Sequence, residues 1–330
     1  MLQIGPYQFD NPLVLAPMAG ITDAVFRRLC REQGAAYTLA EMVASKKELW
    51  DSKKSSTRHV DPNDPEPRAI QLLGTNPEEL AQAAIWQVSN GAQIIDLNMG
   101  CPAKKVCSVA AGSALMGEPD TVQTIFKTVV DAVDVPVTVK IRTGLDSEHL
   151  NAPAIAQLAQ ECGLSAITIH GRTRADKFQG QAEYNTIKQI KQQVSIPVIA
   201  NGDICSPEQA KFVLEYTAAD GIMIGRASQG NPWLFREINH YLKHHEHLAP
   251  ATLDEYHHTI AQHLNGLYEL YGEFLGVRFA RKHMGWYGQT LPQINDEQRN
   301  DLRRRFNRLE TPAEQMELIH EFFVQLETNL

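Results

Sequence analysis

The chain has 330 residues, of which 43% are hydrophobic and 21% charged, and a formal net charge of −8. This is the composition of a folded globular protein with room for one large α/β domain and a smaller one. It excludes a disordered chain and a protein that holds nucleic acid through bulk positive charge, so any polyanion site must be a local patch. The five cysteines, Cys30, Cys101, Cys107, Cys162 and Cys205, are odd in number and widely spaced, and neither a CxxC pair nor an HExxH motif occurs. The chain is therefore expected to work in a reducing compartment, without a disulfide framework and without a metal site. No Lys or Arg precedes Arg27, and Pro12 and Pro17 interrupt the first apolar run. A signal peptide or membrane span is excluded there, and a cytoplasmic protein with no membrane partner is expected, monomeric and with no obligate protein partner.

Short apolar, β-branched runs alternate with longer amphipathic stretches. Strands are predicted at Leu13–Pro17, Tyr37–Ala40, Ala69–Leu73, Ile94–Asn98, Val137–Ile141, Ala166–His170, Val198–Asn201 and Gly221–Ile224. Helices are predicted near 22–33, 77–90, 119–133, 151–163, 183–194, 206–217 and 232–243. Asn76-Pro77 and Ser206-Pro207 carry start signals, a capping side chain followed by proline at the first helical position. Eight strand–helix units over about 240 residues predict a (β/α)8 TIM barrel, typically ~250 residues. A doubly wound sheet is the alternative; it is disfavoured because no two glycines stand two apart, so no G-x-G-x-x-G exists. The segment Ala44–Pro67, rich in Lys, Ser, Asp and Pro, reads as a long loop on the barrel's active face.

Beyond about residue 245 the strands stop. Leu253–Leu270, Val277–Tyr287, Glu297–Leu309 and Pro312–Leu326 read as helices, which predicts a smaller C-terminal all-α domain. The expected division is a barrel over 1–244 and a helical domain over 245–330.

In such a barrel, chemistry is done at the C-terminal ends of the strands. Cys101 lies there, in the Asn98-Met99-Gly100-Cys101-Pro102 turn that ends the fourth strand, which makes it a candidate reactive thiol. Other strand ends carry Ala16-Pro17-Met18, Lys140 and Arg142, His170, Asn201-Gly202-Asp203 and Gly225-Arg226, with Gln71 in the third strand. A lysine emerging from Val137-Thr138-Val139 without a partner would be costly, so Lys140 is expected to meet an anion or a polar ligand. Gly202 and Gly225-Arg226 follow strands seven and eight, where barrels commonly bind phosphate through backbone N–H groups. A phosphorylated cofactor across the mouth is implied, and flavin mononucleotide (FMN) fits. Singly, Cys101 reads as a structural thiol, His170 as a core histidine and the glycines as turns; their convergence on one rim argues otherwise.

The motifs APMAGITD (16–23), DLNMGCPAKKV (96–106), VTVKIRTG (137–144), ITIHGRTR (167–174), IPVIANGDI (196–204) and DGIMIGRASQGNPWLF (220–235), with ARKHMGWY (280–287) in the tail, give the chain its family likeness. It resembles the tRNA-dihydrouridine synthases, most of all their bacterial B subfamily. The resemblance implies an FMN enzyme that draws on NADPH to reduce a D-loop uridine of tRNA, with U17 the expected position. It implies that Ala16, Pro17, Met18 and Gln71 contact the flavin ring, Lys140 its N1/O2 edge and His170 the cofactor. Asn201, Gly202, Asp203, Gly225 and Arg226 would hold the ribityl chain and phosphate, and Asn98 and Arg142 would face the uracil. Where some relatives carry a tyrosine in the substrate loop, the nearest aromatic here is Phe178.

Reduction of the uracil C5–C6 bond needs a hydride at C6, from N5 of the flavin, and a proton at C5. A thiol with a pKa near 8.5 is mostly protonated at neutral pH, so Cys101 is the expected general acid. Basic groups available for tRNA phosphates are Lys46, Lys47, Lys53, Lys54 and Arg58 on the long loop, and Lys104 and Lys105 beyond the thiol. The tail adds Arg278, Arg281 and Lys282, sharing a short helix with Trp286 and Tyr287, and Arg303-Arg304-Arg305. Two other functions stay open on the residues alone: a small-molecule flavin oxidoreductase such as a dihydroorotate dehydrogenase, and a non-catalytic RNA-binding protein.

Overall fold

The computed structural model describes residues 1–50, 52–107 and 111–328; the side chains of Lys53, Lys54, Lys104 and Lys105 lie outside the described set. The chain divides into two compact units, Met1–Gly225 and Arg226–Leu330.

The first unit opens with a hairpin, β1 (Gln3–Ile4) and β2 (Tyr7–Gln8). The parallel strands follow as β3 (Leu13–Leu15), β4 (Tyr37–Thr38), β5 (Val43–Ala44), β6 (Ala69–Leu73), β7 (Ile94–Met99), β8 (Val137–Arg142), β9 (Ala166–His170), β10 (Val198–Asn201) and β11 (Gly221–Ile224). Their order is β4-β3-β11-β10-β9-β8-β7-β6-β5. Leu39 bridges Ala69, and the Ala40 N–H donates to the Ala69 carbonyl at 3.1 Å, so the ladder that runs out at β4 rejoins β6 and the ring is closed. The nine segments are thus the eight strands of a TIM barrel, with the second broken into β4 and β5. The break falls where Glu41 turns inward: its carboxylate, 2% exposed, accepts from the Gly20 N–H at 2.7 Å and pairs with Arg58 at 2.6 Å.

Between the strands run α1 (Ala24–Glu32), α2 (Lys53–Ser56), α3 (Pro77–Ser89), α4 (Lys104–Cys107), α5 (Pro119–Ala132), α6 (Ala152–Glu161), α7 (Asn185–Gln193) and α8 (Pro207–Thr217). The expected starts hold. The Asn76 side chain accepts from the Glu79 N–H and that of Ser206 from the Gln209 N–H, each with proline next in line. The segment read as a long loop is shorter and better tied than its composition suggests. It begins in β5, contains α2, and is fastened to α1 by Arg27–Asp64 and by Arg28–Asp61 at 2.9 Å.

Alternate residues of a strand share a face. The inward face starts apolar, with Val14, Leu39, Ala69, Ile94, Ala166 and Ile199 in one buried cluster with Leu2, Ile4 and Phe9 from the hairpin segment. Two or four residues further along the same strands the face turns polar, with Gln71, Asp96, Asn98, Thr168, His170 and Asn201.

The second unit holds α9 (Leu234–His244), α10 (Leu253–Thr290), α11 (Asp296–Phe306) and α12 (Pro312–Thr328). α9, which the sequence pattern groups with the barrel, clusters with these helices. Capping boxes at Thr252/Glu255 and Asn295/Gln298 start α10 and α11. Inside α10 only Gly272 leaves helical geometry (φ 71, ψ 168), so the two expected helices meet there without a loop. The core contains Trp233, Tyr256, Ile260, Leu264, Tyr287, Phe306 and Phe323. The helix beyond the kink carries Arg278, Arg281 and Lys282 with Trp286 and Tyr287, but Tyr287 is fully buried, its hydroxyl 2.9 Å from His263 Nδ1. Tyr287 is a core residue rather than a surface for RNA. No helix among the described residues is long and apolar enough to cross a membrane.

Candidate active site

The polar groups at the C-terminal mouth of the barrel are matched to one another. Asp96, 1% exposed, accepts from Thr138 Oγ1 at 2.6 Å and from Gln71 Nε2 at 2.8 Å. Gln71 Oε1 accepts from Asn98 Nδ2 at 2.8 Å, and Asn98 Oδ1 accepts from the N–H groups of Gly100 at 3.2 Å and Cys101 at 3.0 Å. Register explains the proximity, because Gln71 pairs with Asp96 across β6–β7 and Asn98 with Lys140 across β7–β8. The turn bearing Cys101 is held from the other side by Ser113, whose hydroxyl and N–H both donate to the Cys101 carbonyl, at 2.9 and 3.1 Å. Cys107 lies close, its Sγ 3.5 Å from that carbonyl.

Cys101 is half-buried. Burial pushes its thiol above the ordinary value, while a hydrogen bond from the Ala103 N–H and the charges of Arg142 and Lys140 pull the other way. Lys140 Nζ donates to Asn201 Oδ1 at 2.8 Å, and Asn201 Nδ2 donates to the Met223 carbonyl at 2.8 Å, a brace linking β8, β10 and β11. Burial, and then the neighbouring Arg142 charge, pull Lys140 down to about 7. Burial thus weakens its hold on the proton, and an anionic ligand edge beside it would favour the charged form.

Arg142, 2% exposed, is pulled by burial to about 10. Its Nε donates to the Gly100 carbonyl at 2.7 Å, and Nη1 to the carbonyls of Thr173 at 2.7 Å and Lys177 at 2.8 Å. It thus ties the thiol's turn to the loop after β9, with its guanidinium 5.5 Å from the Phe178 ring centre. Only Nη2 is not taken up by these carbonyls.

Three further strand ends complete the rim. Gly202 (φ 127) packs so closely that an added Cβ would lie 2.7 Å from Ala182 Cβ and 3.0 Å from His170 Cδ2, which places the His170 ring against that turn. Asp203 is held by Arg172 through two hydrogen bonds, 2.8 and 2.6 Å, and by the Ala182 N–H at 2.8 Å. Its carboxylate organises the loop rather than standing open to a ligand. A Cβ on Gly225 would stand 3.6 Å from Ala16 Cβ and Met18 Sδ, an ordinary contact, so the ends of the first and eighth strands lie side by side; Pro17 lies between those two residues. Arg226 is exposed and opens the second unit.

The donor set fits a flavin: carboxamides and a cation for a heteroaromatic edge with carbonyls, and a glycine cradle at Gly202 that a Cβ would fill. Sequence reasoning missed Asp96, Thr138, Glu41 and Arg172. The parity of Asp96 with Asn98 was a usable signal; the partners of Glu41 and Arg172, far away in sequence, had none. Of the basic groups, Arg58 is absorbed by Glu41, Arg281 donates to the Leu309 carbonyl, and Arg304 and Arg305 pair with Asp301. Lys46, Lys47, Arg278, Lys282 and Arg303 are exposed.

A closed parallel barrel with a thiol, two cations and oriented carboxamides at its C-terminal mouth defines a barrel enzyme. The family model described as dihydrouridine synthase matches residues 14–327, and the chain belongs to that family, flavin-dependent oxidoreductases of tRNA uridine. It is 53% identical over 328 residues to tRNA-dihydrouridine synthase B of Shewanella oneidensis, covering 99% of this chain and 100% of that one. With the protein of that name from Escherichia coli K12 it shares 53% identity over 322 residues, 98% of this chain and 99% of the relative. Among solved structures, histamine dehydrogenase from Rhizobium sp. 4-9 superposes with a TM-score of 0.58 at 12% identity, covering 99% of this chain and 64% of the other; the likeness is one of fold alone.

Proposed function

We propose that this protein is a tRNA-dihydrouridine synthase that binds FMN, draws on NADPH, and reduces the C5–C6 bond of a D-loop uridine, U17, in the cytoplasm. The observation that carries the reading is the juxtaposition of Cys101 with Lys140 and Asn98 at the barrel mouth, the thiol's turn fixed by hydrogen bonds on both sides. We assign Ala16, Pro17, Met18, Gln71, Lys140 and His170 to the flavin ring and Asn201, Gly202, Asp203, Gly225 and Arg226 to its ribityl phosphate. Asp203 serves there by shaping the loop.

When bound and reduced, the flavin supplies the hydride taken up at uracil C6. Cys101 holds the proton destined for C5: its raised pKa keeps the thiol protonated at neutral pH, and the charges of Arg142 and Lys140 stabilise the thiolate left behind. Asn98, through Nδ2, and Arg142, through Nη2, orient the uracil carbonyls. Extruding the base costs a few kcal/mol; the exposed Lys46, Lys47, Arg278, Lys282 and Arg303 offset it through phosphate contacts.

The test is to mix the flavin-reduced protein with tRNA lacking dihydrouridine and, separately, with free uridine. Rapid reoxidation by tRNA alone, with dihydrouridine mapped to position 17, is expected. Equal rates would favour a small-molecule oxidoreductase, and a preparation that takes up no flavin would favour a non-catalytic RNA-binding protein.

A further inference from the structure

The hydrogen bonds at the mouth all run one way. Cys101 N–H donates to Asn98 Oδ1, Asn98 Nδ2 to Gln71 Oε1, and Gln71 Nε2 to Asp96 Oδ2. At one end stand main-chain N–H groups, which can only donate. At the other stands a carboxylate which, when ionised, can only accept. The two amides between them are symmetric in shape but not in chemistry. Turning either one over would set N–H against N–H at one contact and oxygen against oxygen at the next. The orientation of both carboxamides is therefore dictated from the ends, and hydrogen bonds in such a chain polarise one another.

We propose that Asp96 is a positioning residue: its buried carboxylate orients Gln71 and Asn98 and, through them, the turn that carries Cys101. The inference rests on the reading of Cys101 as the proton donor. It adds that the thiol's placement is governed from inside the barrel by a residue that touches neither base nor cofactor. The same orientation fixes what the mouth offers a ligand. Each amide nitrogen has a second N–H; among the described residues that of Asn98 has only Met42 Sδ, 3.7 Å away, a weak acceptor that a ligand carbonyl displaces.

Asp96 is suited to this task because its ionised form is the one the surroundings need. Thr138 Oγ1 and Gln71 Nε2 donate to it, and Lys140 contributes positive charge; the Tyr37 hydroxyl, buried with no hydrogen-bond partner among the described residues, is held neutral by burial and by the charge of Asp96. Burial outweighs these and raises the carboxyl to about 6, so it is ionised at neutral pH and protonates in mild acid. A protonated Asp96 is no longer purely an acceptor, and the chain loses its direction.

The test follows the Cys101 backbone amide, one of five cysteine resonances, in full-length protein labelled with 15N-cysteine, with Cys101→Ser giving the assignment. In the wild type the Cys101 resonance should move with pH with a midpoint near 6, although only hydrogen bonds through two side chains connect it to the titrating group. Asp96→Asn should remove that component, and Thr138→Val, which deletes one donor to the carboxylate, should move the midpoint upward. Lys140 titrates near 7 in the same region, so the criterion is the component that Asp96→Asn abolishes. A Cys101 resonance that is stationary from pH 5 to 7.5, or that titrates identically in Asp96→Asn, overturns the proposal. Should Asp96→Asn fail to fold, an unshifted midpoint in Thr138→Val overturns it instead. In turnover, Asp96→Asn loaded with flavin should show a single-turnover rate lowered roughly tenfold to a hundredfold, the scale expected for a misplaced reactive group, with KM for tRNA nearly unchanged and the acid limb of the pH profile lost. If tRNA is not reduced at all, the proposed function falls, while the resonance titration still decides the role of Asp96.

Discussion

At the N-terminal end of the barrel the strands contribute Ala69, Ile94, Ala166 and Ile199 to an apolar floor closed by Leu2, Ile4 and Phe9. Two residues on, the same faces of the same strands contribute Gln71, Asp96, Thr168 and Asn201, and two further on Asn98 and His170. The floor is held by non-directional burial, so it tolerates variation in shape at a graded cost. The mouth is held by directional bonds with defined donors and acceptors, so a single wrong atom leaves a buried group unmatched. Stability comes from the floor, and a fixed arrangement of reactive groups comes from the mouth.

The sharpest way to break this division is Cys101→Ala. Dihydrouridine formation should fall by roughly 10²–10⁴-fold, the usual contribution of a positioned acid, while flavin binding and the thermal midpoint stay close to wild type; near-normal turnover would remove Cys101 from the acid role. Ile94→Ala probes the floor and should cost ~2–5 kcal/mol in denaturant unfolding with turnover per folded molecule unchanged. Gly202→Ala sits between the two. The left-handed backbone and the Ala182 contact should cost ~1–3 kcal/mol and release the flavin, read as loss of yellow colour on gel filtration.

The helical unit sharpens the contrast, because it buries titratable groups within its own core. His263 and His283, ring centres 4.4 Å apart, are both buried, and burial pulls His263 to about 3 and His283 well below its ordinary value. Below about pH 6.5 the unfolded chain takes up protons that the folded unit refuses. Stability is therefore full above 6.5 and falls by up to ~1.4 kcal/mol per pH unit per imidazole as pH drops, which thermal melts between pH 7.5 and 5 would reveal. The smallest effect is expected for Arg304→Ala, whose exposed pair with Asp301 is worth ~0–1 kcal/mol; the same melts at pH 7.5 check it.

Much of this was legible in the chain. Strand and helix positions follow from period, capping residues and proline, and the polar strand ends from parity, since Gln71 and Asn201 follow apolar residues two positions back and Asn98 and His170 follow apolar residues four positions back. What sequence could not supply was pairing across distance. Nothing near Glu41 announces Gly20 and Arg58, nothing near Asp203 announces Arg172, and the Ala44–Pro67 segment shows its ties only once α1 lies beside it. The pairing of some basic residues was hidden for the same reason: charge is written in the chain, but the pairing of Arg304 with Asp301 and of Arg58 with Glu41 is a property of the fold.

The interruption between β4 and β5 has a mechanical consequence. Around most of the ring, neighbouring strands are zipped along three to five consecutive residues, as from Ile95–Val137 to Met99–Ile141. At the second strand the ring is joined on one side at Val14–Tyr37 and Leu15–Thr38, and on the other at Leu39–Ala69 and again only at Val43–Leu72 and Ala44–Leu73. That is the seam of the cylinder, and it will part first under thermal or mechanical load. Native-state hydrogen exchange should find the Ala40 amide exchanging well before those of β7 and β8.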